Sequence, residues 1–229
     1  MRKYGSRAMT GFFDPPPEPS RPRRPLTPAP EWSGPPEGAL PRVVAVELVL
    51  ARNERAAVYV GRCAAYPAGF EFEVRVIAAA AGLDPSLNGP YARRSGDGNN
   101  YSEMLRFGIE FSDGAHATNV RYQTPADGPP APPYLRGMGG SGSTTSWSQG
   151  FWVWPLPPPG PLTFVCEWPA ADISQTRTEI DAQTVIDAGA RASVVFPGQP
   201  EPEESWTSSS IAIHSTDHPS GGPPGRNAT

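Results

Sequence analysis

The chain has 229 residues, a net charge of −4 and two cysteines, and this composition excludes several classes of protein. The length suits one ordinary domain. The weak negative charge gives no general attraction to nucleic acid or to an anionic membrane surface, so neither is expected as a partner. No apolar run reaches the roughly 20 residues of a membrane span, and the N-terminus lacks the apolar stretch of a signal peptide. We therefore expect a cytoplasmic protein.

The 31 prolines and 24 glycines are concentrated near the two ends and in the middle of the chain. Proline has no backbone donor and glycine loses the most entropy on folding, so both favour turns and unfolded segments. Their distribution predicts a disordered proline-rich arm over residues 1–41, a folded domain over residues 42–197 and a disordered tail over residues 198–229. Met9 offers a second start of translation within the arm.

The first half of the domain is rich in strand patterns. Residues 43–50 and 55–63 are β-branched runs, and the turn Tyr66-Pro67-Ala68-Gly69 leads into the clearest pattern of the chain. There Phe70, Phe72, Val74 and Val76 alternate with Glu71, Glu73, Arg75 and Ile77. Alternation of period two places the apolar side chains on one face of a strand.

A polar loop is predicted over residues 80–103, followed by a β-hairpin over residues 104–122. Leu105, Phe107, Ile109 and Phe111 alternate with smaller or charged residues, and Asp113-Gly114 supplies the tight turn. Residues 124–150 are predicted as a second loop, because they are first proline-rich and then glycine-rich.

The last third of the domain contains short aromatic strands. Strands are predicted over residues 151–154, 162–168, 176–181 and 193–196, with Asp181 capping a short helix over residues 182–190. Many short strands without intervening helices predict an all-β fold. We expect an antiparallel β-sandwich of about 8–9 strands with at most one short helix, with the Phe70–Phe72 and Phe107–Phe111 strands at the centre of its core.

Three stretches carry a resemblance to other sequences. They are Tyr66-Pro67-Ala68-Gly69-Phe70-Glu71-Phe72, Leu105-Arg106-Phe107-Gly108-Ile109, and the segment from Trp152-Val153-Trp154-Pro155 through Phe164-Val165-Cys166-Glu167-Trp168-Pro169. Over residues 43–196 the chain resembles a group of hypothetical proteins from high-GC actinobacteria. The resemblance implies a recurring domain and assigns no activity and no functional residue.

Motifs for nucleotide, metal or nucleophile chemistry are not found in the sequence, and no cofactor, metal or catalytic residue is expected. The glycine-rich stretch 139–144 has no lysine and predicts a flexible loop. His116 follows the hairpin turn, and His214 and His218 lie beside Pro219 in the predicted tail. Cys63 and Cys166 lie in apolar runs and predict buried thiols, either reduced or bridged to each other.

Carboxylates on strands give one functional alternative. Acidic residues occupy strand positions that face away from the predicted core: Glu71, Glu73, Glu110, Glu167, Glu179 and Asp181. Two of them at about 5–10 Å across a cleft would suit a glycosidase-type hydrolase. Paired with arginines across strands, the same residues form an ordinary solvated face.

Tryptophans give the other alternative. Trp152 and Trp154 share one face of their strand and are the binding-site candidates, although an inward orientation in the core is favoured. The arm carries Pro19-x-x-Pro22-x-Arg24, a pattern that could dock a protein partner. We therefore expect a non-catalytic binding or scaffolding domain, with a carboxylate-type hydrolase as the alternative.

Overall fold

The computed structural model describes residues 29–83, 103–120 and 128–195, which form an antiparallel β-sandwich as predicted. Within these ranges the chain forms twelve strands, nine of them of three residues or more. The strands are β1 Ala39–Leu40, β2 Arg42–Val43, β3 Leu48–Arg52, β4 Ala56–Ala65, β5 Phe70–Ala78, β6 Arg106–Glu110, β7 His116–Thr118, β8 Tyr134–Gly142, β9 Ser146–Trp154, β10 Pro161–Trp168, β11 Ile173–Asp181 and β12 Ser193–Val194.

Two sheets make up the sandwich. The larger has the order β2-β4-β5-β9-β8, with β3 also paired to β4, and the smaller has the order β11-β10-β6-β7. A separate two-stranded sheet pairs β1 with β12. The predicted single strand over residues 43–50 is divided in the structure into β2 and β3, which pair with different parts of β4.

The core lies between the inner faces of the two large sheets. Phe70, Phe72, Val74 and Val76 are each no more than 1 % exposed, as the alternation along β5 predicts. The ring of Phe72 lies 5.6 Å from that of Phe107 and 5.4 Å from that of Phe164, both on the opposite sheet. Burial of one such side chain contributes about 1.5–3 kcal/mol. The prediction that these strands form the centre of the core is confirmed.

A short helix covers one end of the sandwich. Helix α1 spans Gln183–Ala190, close to its predicted bounds, and buries Val185 and Ala188 against the core. The Gln183 backbone N–H donates to the Asp181 carboxylate at 2.9 Å, which fixes the chain just before the helix. A Cβ at Gly189 would lie 2.8 Å from the Tyr66 carbonyl oxygen, so a glycine here allows the helix to approach the end of β4.

The prediction of a loop over residues 124–150 is wrong for its second half. Residues 134–142 form the edge strand β8, including the glycine-rich stretch that the sequence assigns to a flexible loop. The register shifts between Gly137 and Gly140, and the Gln149 amide donates a hydrogen bond to the Met138 carbonyl inside this bulge. The backbone ladder to β9 therefore orders a segment whose residues have little strand propensity of their own.

Regular structure is also found before residue 42, within the predicted arm. Residues 31–33 form a 3-10 turn, and Ala39 of β1 pairs with Val194 of β12. Tertiary contacts thus order a proline-rich segment that has no strand or helix pattern of its own. Three predicted segments lie wholly or mostly outside the described residues. They are the rest of the arm, with Met9 and the Pro19-x-x-Pro22-x-Arg24 pattern, most of the loop 80–103, and the tail, with His214 and His218.

Candidate functional site

Trp152 and Trp154 do not point into the core, so the expected inward orientation is wrong. On β9 the alternate residues Phe151 and Val153 join the core, and Trp152 lies opposite Glu71, a residue of the outer face. Every residue from 151 to 154 is apolar, so the sequence pattern does not tell which face is inner. Trp152 is nevertheless fully buried, because another layer of the chain covers it.

The outer face of the larger sheet carries a cluster that we call the aromatic layer: Tyr66, Tyr134, Trp152 and Trp154. Residues around Trp32 cover this layer. Tyr66 meets Trp152 edge to face with 5.5 Å between ring centroids, and Trp32 meets Tyr134 in the same way at 6.0 Å. The Trp152 indole N–H donates to the Glu31 carbonyl oxygen at 3.1 Å. Burial and the charge of Glu71, to which its hydroxyl hydrogen-bonds, raise the pKa of Tyr66.

The candidate carboxylates are divided between two opposite outer faces. Glu71 and Glu73 lie on the larger sheet, where the Arg75 guanidinium holds Glu73 at 2.8 Å. Glu110 and Glu167 lie on the smaller sheet. Because Glu167 pairs with Arg106, four residues from Glu110, the backbones of the two are about 13 Å apart along the strand, beyond the 5–10 Å of a glycosidase pair. Glu179 and Asp181 lie on β11 of the same sheet. Glu110 and Glu179 flank Thr163 from its two neighbouring strands, about 10 Å apart, at the upper end of that range. The structure therefore does not bring the six candidates together in one place.

The outer face of the smaller sheet is concave at its centre, forming a trough of about 540 Å³. Its floor is Gly108, flanked across the strands by Thr118 and Val165. A Cβ at Gly108 would lie 2.9 Å from the Ala117 carbonyl oxygen and 3.0 Å from the Thr118 side chain, so the glycine allows β7 to approach β6 closely at the floor of the trough. The polar and charged residues around it are Arg106, Glu110, His116, Glu167, Gln175 and Arg177.

Two ion pairs border the trough. The Arg106 guanidinium lies 2.8 Å from the Glu167 carboxylate on the neighbouring strand. The Arg177 guanidinium reaches across β10 to the Glu110 carboxylate at 2.5 Å. The second pair passes over Thr163, which is only 4 % exposed although it belongs to the outer face. The trough thus presents charges of both signs on each side of a floor formed by Gly108, Thr118 and Val165.

The sequence contains a signal for this trough that its analysis missed. Arg106, Gly108 and Glu110 alternate with the core residues of β6, so two opposite charges share the outer face with a glycine that marks the close approach of another backbone. His116 is exposed on β7, as predicted, and lines the same trough.

A scan against protein-family models, a search of curated proteins and a search of solved structures all find no match to this chain. The resemblance to actinobacterial sequences therefore stays a prediction. Within the ranges that the structure describes, no three His, Cys, Asp or Glu side chains form a group able to hold a metal ion. Within the same ranges, no helix has the length and apolar character to cross a bilayer.

Both cysteines are buried free thiols, so the bridge that the sequence left open is not formed. Burial, with a smaller contribution from the charge of Glu71, raises the pKa of Cys63 from 9.0 to about 12. Burial and the charge of Glu167 raise the pKa of Cys166 to about 12 as well. A thiolate is the reactive form of cysteine, so neither thiol is a nucleophile in the folded protein.

These thiols predict a loss of stability at alkaline pH. Below pH 9 both thiols are protonated in the folded and in the unfolded chain, so their contribution to the free energy of unfolding is fully present. Between about pH 9 and 12 only the unfolded chain ionises, and the free energy of unfolding falls by about 2–3 kcal/mol per pH unit for both thiols together.

Urea unfolding of the wild type and of the Cys63→Ala/Cys166→Ala variant, at steps between pH 8 and 10.5, measures this effect. We expect the wild-type curve to fall more steeply above pH 9. Parallel curves for the two proteins would contradict it, because groups other than the thiols would then cause the whole decline.

Proposed function

We propose that the protein is a non-catalytic binding domain and that the trough on its smaller sheet receives an extended segment of a protein partner. The observation that carries the proposal is the trough itself, a concave part of the sheet surface that two ion pairs border. The four strands place their outward side chains in a regular grid, which suits an elongated ligand that carries charges of both signs.

The state of the acidic residues supports binding over hydrolysis. Glu110 and Glu167 are each held by an arginine, so neither carboxylate is poised to transfer a proton or attack a bond. Ion pairs that are one third to one half exposed can exchange partners with a ligand at little cost, because water already solvates them. The two free thiols fit a cytoplasmic location, which is part of the same proposal.

A peptide array tests the proposal. The full chain is applied to an array of random decapeptides, and the best binders are titrated into 15N-labelled protein. We expect amide shifts concentrated in β6 and β10, around Gly108 and Val165. Peptides that leave these amides unchanged, or that shift amides elsewhere, would contradict the assignment of the trough.

A charge at the floor of the trough gives the matched variant. Val165→Glu places a third carboxylate between Glu110 and Glu167 and is expected to weaken peptide binding by about tenfold or more. Val49→Glu is the control, because Val49 is 58 % exposed on β3, away from the trough. Equal affinity of the two variants would show that peptides bind elsewhere.

A further inference from the structure

Residues 29–36, which we call the strap, lie across the aromatic layer. Pro30 has φ −57° and ψ 146°, close to polyproline II geometry, and precedes the 3-10 turn. The Glu31 carbonyl accepts the hydrogen bond from the Trp152 indole, and Trp32 packs edge to face on Tyr134. The Ser33 hydroxyl donates to the Pro30 carbonyl at 2.7 Å, which closes the turn. The Glu31 carbonyl and the Trp32 ring therefore bind the strap to this surface, within a segment that also contains Pro30, Pro35 and Pro36.

The aromatic layer is distinct from the core of the sandwich. Phe151 and Val153 belong to the apolar core cluster, whereas Tyr66, Tyr134 and Trp152 are buried outside it. The inner faces of the two sheets therefore pack without help from the strap. Removing the strap would expose the aromatic layer and leave the core covered.

The chemistry of this surface matches a known mode of peptide recognition. Grooves lined by aromatic rings bind proline-rich segments, because proline rings stack on them and the preformed backbone loses little entropy. An indole N–H that donates to a peptide carbonyl fixes the register of such a segment. Here Trp152 makes that bond, and the strap supplies prolines at positions 30, 35 and 36.

The strap is attached so that it can leave. Glu37 and Gly38 are exposed, and a Cβ built at Gly38 would have nothing within 4 Å. The Pro36 carbonyl accepts from the Ala39 N–H at 3.1 Å, and the Gly38 carbonyl accepts from the Val195 N–H at 2.8 Å. The turn over residues 36–39 and the pairing of β1 with β12 therefore anchor the chain, and the strap leaves by moving about this turn. A short tether gives the strap an effective concentration in the millimolar range, so it blocks weak competitors.

From these observations we infer that the aromatic layer is a docking groove for proline-rich peptides. The strap occupies this groove as an internal ligand. A proline-rich segment of another protein binds there when the strap leaves. This groove lies on the sheet opposite the trough, so the inference is independent of the proposed function.

The test uses the full chain with Trp32→Ala, which removes the contact between the strap and Tyr134. The probe is the synthetic peptide Ala-Pro-Glu-Trp-Ser-Gly-Pro-Pro-Glu-Gly, the sequence of residues 29–38. The protein is 15N-labelled and the peptide is unlabelled, so the indole resonances report only the tryptophans of the protein. Glu37→Ala is the matched control, since Glu37 is exposed next to the strap.

In Trp32→Ala we expect the Trp152 indole resonance to move toward the position of a solvated indole, and added peptide to restore the wild-type position. In wild type and in Glu37→Ala the same peptide should bind about tenfold more weakly or worse, because the strap competes. An unshifted Trp152 indole in Trp32→Ala, or a shifted one that millimolar peptide does not restore, would overturn the inference.

A second peptide tests the chemistry of recognition. With Pro30, Pro35 and Pro36 replaced by alanine, the peptide is expected to bind Trp32→Ala about tenfold more weakly. Equal binding of both peptides would show that the groove does not recognise proline. Sedimentation of the wild type supplies a further check, because a dimer at micromolar concentration that dissociates in Trp32→Ala would show that the strap binds a second copy.

Discussion

Replacing Phe72 with alanine is expected to lower the free energy of unfolding by about 3–5 kcal/mol. Phe72 is 1 % exposed, and its ring contacts those of Phe107, Phe151 and Phe164, which belong to both sheets. Removing it leaves a cavity that these neighbours cannot fill, since a cavity adds its own cost to the lost burial. Urea unfolding followed by tryptophan fluorescence measures the change.

Ile77→Ala is the matched control for Phe72→Ala. Ile77 lies on the same strand, but its side chain is on the outer face and 48 % exposed. Its truncation is expected to change the free energy of unfolding by about 1 kcal/mol or less. If the two variants lost similar stability, Phe72 would not be at the centre of a core between two sheets.

Replacing Gly69 with alanine is expected to cost about 1–3 kcal/mol although it adds only one methyl group. A Cβ at this position would collide with the Val153 carbonyl oxygen and lie 2.7 Å from the Trp152 ring. The first of these contacts is to backbone, so the turn Tyr66-Pro67-Ala68-Gly69 or strand β9 must move. The Trp152 indole resonance is expected to shift as well, because the added methyl group presses on its ring.

Gly139→Ala separates this crowding from the general effect of replacing a glycine in a strand. A Cβ at Gly139 on β8 would have nothing within 4 Å, so the variant should be neutral or slightly stabilising. The same urea experiment measures both variants. Equal losses at positions 69 and 139 would show that the turn does not pack on Trp152 as described.

The strands with alternating patterns are predictable from sequence, and those with other patterns are not. The alternation in β5 and β6 identifies their inner faces correctly, because charged residues mark the outer side. Over residues 151–154 of β9 both sides are apolar, so this half of the strand does not reveal its inner face. Ser146, Ser148 and Gly150 mark the outer side in the first half, but the sequence analysis assigns that half to a loop. In β8, the ladder to β9 and the side chain of Gln149 order a glycine-rich segment, and neither contact is visible in local sequence.

The functional surfaces were harder to predict, because each depends on residues distant in sequence. The trough forms only because β6 pairs with β10. This pairing brings Arg106 to Glu167, which is 61 positions later in the chain. The aromatic layer needs Glu31 over Trp152, 121 positions apart. Composition indicates that the strap is proline-rich, but only the fold shows that this segment has a surface to bind.

The two proposed surfaces lie on opposite sides of the sandwich and use different chemistry. The trough is bordered by charges and is open, whereas the aromatic layer is apolar and covered by the strap. Each surface has its own variant, so failure of one assignment leaves the other standing.

The independence of the aromatic layer from the core is tested most directly by hydrogen exchange in the full chain with Trp32→Ala. The Ser33 amide, which donates to the Pro30 carbonyl at 2.8 Å, and the Trp152 indole should exchange about tenfold faster or more than in wild type. Core amides should keep their wild-type protection. One example is the Phe107 N–H, which donates a hydrogen bond to the Asn119 side-chain oxygen at 2.8 Å. If protection fell by the same factor at Ser33 and Phe107, strap and core would unfold together and no separable docking groove would exist.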